Sequence, residues 1–83
     1  MQVNEILKQR EQTHGKFEDY ATLNIFLLEG FNEFSVRRLS MSQRSALMMI
    51  FSKIARIGVG NPNEADHWRD IAGYATLVAD TLE

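Results

Sequence analysis

Pro62 is the only proline in the chain, and it stands in the short turn "GVGNP" between two long stretches whose apolar residues recur every three or four positions. Two helical stretches joined by so few residues must fold back on each other, so the C-terminal half is expected to be an antiparallel helical hairpin. Its third helix starts at "SMSQ", where Ser40 and Gln43 have the spacing of a capping box, and runs through Ala46, Ile50 and Ile54 to about Ile57, with Gly58 as its end. The fourth, about residues 62–82, is expected to open with Asn61 as cap, Pro62 in the first turn and Glu64 as reciprocal cap. Ala65, Trp68, Ala72, Ala75, Ala79 and Leu82 fall at alternating steps of three and four, which predicts a packed seam with Trp68 in the core. Gly73, in mid-helix, leaves room for a neighbouring helix or a ligand.

Upstream, the periodicity predicts a helix over about 2–12 and another over about 16–29. Between them Thr13 is read as a cap, and Gly15 as a backbone position closed to other residues. "EGFNEFSVRRLS" reads as a connection, with Phe31, Phe34, Val36 and Leu39 tucked beneath the helices. No sustained period-two alternation suggests a strand. The expected fold is all-α: a single domain, residues 1–83, built as a bundle of about four helices.

With 83 residues the chain has little capacity to bury a core, so a homo-oligomer, at least a dimer, is expected. It has no cysteine, which removes disulfides, thiolate metal sites and thiol catalysis and makes a reducing cytoplasm the simplest location. No apolar run approaches the ~18 residues of a membrane span, and "MQVNEILKQREQ" is unlike a signal peptide. A formal net charge of −2 argues against bulk nucleic-acid binding, although local cations can still hold a phosphate.

Counted back from the turn, Lys53 is expected level with Asp66, with Arg56 beside Lys53 and Asp70 beside Asp66. Two readings stay open for this group: interhelical salt bridges, or a site in which Lys53 and Arg56 meet phosphates while Asp66 and Asp70 meet a metal. His14, Arg37 and Arg38 complete the phosphate-binding candidates, and Glu18 and Asp19 the metal candidates. His67 reads as a solvated side chain, and neither histidine has a second at metal-ligand spacing. Met48 and Met49 read as core filler.

"THGKF", "KIARI" and "DHWRDIAGYATL", in that order, resemble a family of small, all-helical, phage-borne proteins of uncharacterised function. That family is in turn distantly similar to the nucleoside triphosphate pyrophosphohydrolases of the MazG type. The resemblance implies a phage or prophage origin, with the host cytoplasm as location, and nucleotide chemistry assisted by Mg2+ held by acidic residues at helical spacing on facing helices. Here Asp66 and Asp70 match one pair and Glu18 and Asp19 begin the other, but Thr22 and Leu23 stand where further carboxylates belong. No nucleophile with an adjacent base is recognisable. The expected function is a helical accessory protein that binds a nucleotide or other phosphate ligand with little or no catalysis. The alternatives are a non-enzymatic protein that binds a host protein, and a degenerate Mg-dependent pyrophosphohydrolase.

Overall fold

The computed structural model describes residues 3–83, which form four helices: α1 (Val3–His14), α2 (Phe17–Phe34), α3 (Met41–Val59) and α4 (Ala65–Thr81). Among the described residues there is no strand, and no helix is long and apolar enough to cross a membrane. α3 is the centre of the molecule: α2 packs along one side and α4 along the other, and α1 lies across α2 and α3. The result is the expected all-α four-helix bundle, an open, layer-like one of 44 × 27 × 21 Å. α3 and α4 are antiparallel, because Lys53 meets Asp70 near the turn while Gln43 shares a groove with Leu82 at the far end.

Several boundaries follow the local chemistry. Ser40 Oγ accepts from the Gln43 amide at 3.1 Å and Gln43 Oε1 accepts from the Ser40 amide at 2.9 Å, the reciprocal pair that satisfies two orphan donors of α3. Gly15 has φ +81°, and a Cβ there would collide with the Val59 carbonyl oxygen, so both the dihedral and the close approach of α3 demand glycine.

Elsewhere packing moves the ends. α1 continues through Thr13, so Thr13 caps nothing; the cap position of α2 is Lys16, which makes no side-chain bond there. α2 runs through Gly30 to Phe34 instead of stopping near 29, and Phe31 stacks on Phe51 of α3 at 5.5 Å, which offsets the ~1 kcal/mol cost of an internal glycine. Phe34 and Val36, expected to tuck in, are exposed. Gly58 stays inside α3 against Leu23, and the helix ends at Gly60, where a Cβ would meet the backbone of Thr13 and His14. α4 begins only at Ala65: Asn61 Oδ1 accepts from the Asn63 amide at 2.9 Å, a local turn that keeps Pro62 out of the helix, and Glu64 at the cap position makes no side-chain bond.

The main correction concerns the rotation of α4. Its inward face is His67, Asp70, Ile71, Tyr74 and Val78, not the alanine seam; Ala65, Ala72, Ala75 and Ala79 are exposed and Trp68 is 55% exposed, its Nε1–H donating to the Pro62 carbonyl at 2.8 Å. Gly73 faces open space. Met48 and Met49 are exposed rather than filling the core. Among the described residues the buried ones are few and small, Ala46, Ser52 and Ala55, with His67 the exception at 2% exposed.

Candidate functional site

Three separated segments meet where α1 ends, α3 ends and α4 begins. Thr13, His14 and Gly15 come from the first, Lys53, Arg56 and Gly60 from the second, and His67 and Asp70 from the third. Two glycines let the backbones touch, and the Thr13 carbonyl collects two donors: the Asn61 amide at 3.0 Å and His67 Nε2 at 3.0 Å. A carbonyl only accepts, so His67 carries its proton on Nε2. The His14 ring lies 5.3 Å from that of His67, tilted by 49°.

Around this pair the charges are mostly positive. Lys53 Nζ, on a side chain only 13% exposed, bridges Asp70 Oδ2 at 2.9 Å. The Arg56 guanidinium stacks over the Tyr20 ring at 5.2 Å and has no carboxylate partner among the described residues. Tyr20 in turn shares a 2.6 Å hydrogen bond with Ser52. Partial burial pushes the His14 pKa below its ordinary 6.5, and the cations Arg56, Lys53 and Arg10 and the neighbouring His67 push it further down. Asp70 is held below the usual carboxylate value, chiefly by the hydrogen bond from Lys53. Lys53, Arg56, Arg10 and one carboxylate thus leave a surplus of positive charge around a neutral imidazole.

These contacts hold "THG", "KIAR" and "DHWRD" together as one unit, and one sequence family has a profile that covers residues 2–82, described as a domain of unknown function. The chain belongs to the DUF6378 family. No curated protein and no solved structure matches it.

The other predicted site residues of this DUF6378 chain are dispersed. Asp66 is not level with Lys53; it points to solvent, 3.4 Å from Arg69 on its own helix. Glu18 and Asp19 are exposed on α2. The four metal candidates do not converge, and among the described residues no three histidine or acidic side chains are placed to hold a metal ion. Ser52 has a tyrosine hydroxyl as its partner.

Arg37 and Arg38 lie toward the opposite end of α3, with Arg44, around a half-open hollow of about 640 Å³ floored by Phe31, Leu47 and Phe51. The phosphate-binding candidates thus divide into two groups, His14 with Lys53 and Arg56, and Arg37 with Arg38. The residues that sequence reasoning missed are His67, Tyr20 and Ser52. His67 was detectable, because 67, 71, 74 and 78 make a helical stripe as regular as the alanine one.

Proposed function

We propose that this protein binds a phosphate-bearing small molecule, a nucleotide foremost, at the end of the layer formed by His14, Lys53 and Arg56, and does so without turning it over. The observation behind this reading is the surplus of cations around a neutral, partly buried histidine: Arg56 lacks a carboxylate partner among the described residues, and a bound phosphate would supply one. The similarity of the sequence motifs to phage-borne proteins and, more remotely, to MazG-type enzymes is what makes a nucleoside triphosphate the first ligand to try and a phage-infected host cytoplasm the setting to consider. Dispersed carboxylates favour binding over hydrolysis.

The arginine hollow favours a second location for the same ligand, since three guanidiniums rim an aromatic floor suited to a base. Thermal unfolding with ATP, inorganic pyrophosphate and AMP, each with and without Mg2+, tests the proposal. A ligand at 100 times its Kd stabilises the folded state by about 2.7 kcal/mol, a rise of roughly 15 °C for a domain of this size. Arg56→Gln should abolish the shift while Arg38→Gln retains it; the reverse outcome moves the site to the hollow. Absence of any shift in the parent up to millimolar ligand would refute phosphate binding, and release of inorganic phosphate or pyrophosphate from ATP would restore the hydrolase reading.

A further inference from the structure

The molecule exposes more surface than a chain of its size should. A compact protein of 9.5 kDa has about 5,000 Å² accessible, whereas this one has 6544 Å². Its radius of gyration is 14.4 Å, against about 12 Å for a compact 83-residue chain. Among the described residues no large side chain is fully buried, and the exposed ones include Trp68 and Leu77 on α4 and Leu82 at its C-terminal cap. The cause is architectural: with α2 and α4 on opposite sides of α3, no second layer covers the sheet of helices.

We infer that a second copy of this chain provides that layer, packing its α4 antiparallel against α4 about a twofold axis. The excess of about 1,500 Å² per chain would, if buried by two copies, amount to about 3,000 Å², within the range of obligate homodimers and above the ~800 Å² per partner of a standard interface. The location rests on how two of the exposed apolar regions differ in what they would bury. At the α2–α3 connection, Phe34, Val36 and Met41 are interleaved with Glu33, Arg37, Arg38 and Arg44, so covering them strands charges. On α4 the stripe of Ala65, Trp68, Ala72, Ala75, Ala79 and Leu82 carries no charge.

That stripe is also self-complementary. With the axis midway between Ala72 and Ala75, Trp68 faces Ala79 of the partner subunit and Leu82 faces Ala65 of the partner subunit, large against small, while at the axis Ala72 faces Ala75 of the partner subunit, small against small, which lets the two helices approach closely. Beside it runs a groove of about 370 Å³ between α3 and α4, lined by Leu39, Ala46, Ile50 and Val78, which the edge of the opposite helix would fill. The two hairpins then make a four-helix bundle with α3 of each copy on the outside of the seam.

Sedimentation equilibrium at tens of micromolar should return twice 9.5 kDa, and the emission of Trp68, the sole tryptophan, should shift to the blue on going from nanomolar to micromolar chain. A mass of 9.5 kDa at that concentration overturns the inference. Ala75→Arg should be monomeric with the parent's helical circular dichroism; a variant that remains dimeric rules out this face. Should Ala75→Arg lose its helix content, Ala75→Cys decides, because the chain has no other cysteine: a short bis-maleimide should link most of the protein into a pair, and failure to do so in a dimeric protein removes α4 from the interface.

Discussion

At the scale of single residues the histidines and glycines set the behaviour. His14 titrates below 6.5 in the folded protein because its partly buried ring is desolvated and surrounded by cations. As pH falls through 6.5 the unfolded chain takes up this proton before the folded one does, so the unfolded state binds more protons and stability declines with each further step toward the folded value. Above 6.5 the group contributes no slope. Urea midpoints are therefore expected to fall between pH 7.5 and 5.5, and His14→Gln to flatten that dependence; an unchanged slope would locate the titration elsewhere. Asp70 acts in a different window: its pKa is depressed by Lys53, so the stability it contributes is present above 3.8 and lost only as pH falls below that value. A phosphate bound beside His14 would raise the imidazole pKa, so its affinity should increase on mild acidification.

At the scale of helices, Gly30 and Gly73 illustrate how differently two internal glycines can be read. Both are helical, and a Cβ at either meets nothing within 4 Å. Gly30→Pro should cost about 2 kcal/mol, since α2 continues past it and glycine already lies about 1 kcal/mol above alanine, and Gly73→Ala should gain about 1 kcal/mol. Equilibrium denaturation checks both, and a neutral Gly30→Pro would mean that residues 30–34 are not helix. The capping box at Ser40, the positive φ at Gly15 and the α3–α4 hairpin were legible because each depends on chemistry within a few residues. The continuation of α2 was not, because Phe31 is held by Phe51, twenty positions away. The rotation of α4 was misread for a related reason: two helical stripes of equal regularity lie on it, and only the backbone of Thr13 reveals which faces inward. Lys53, Arg56 and His14 were recognisable as cations and a histidine, but their meeting depends on Gly15 and Gly60, whose roles appear only when two turns touch.

For the molecule as a whole, the Thr13 carbonyl has a consequence in time. It accepts from Asn61 and from His67, the latter 54 positions along the chain, and these two bonds bind α1 to a hairpin that is complete without it. α1 buries none of its residues. Closing so long a loop costs entropy that local helix pairing does not, so α1 is expected to dock after the hairpin forms and to detach before it opens. Amide hydrogens of α1 should exchange with deuterated water orders of magnitude faster than those at the middle of α3, and His67→Ala should speed the α1 amides while leaving those around Ile50 slow. Equal protection of α1 and α3 would show a single cooperative unit. Each departure of α1 also withdraws the His14 ring, so the electropositive end of the layer exists only for the fraction of time that one helix stays latched.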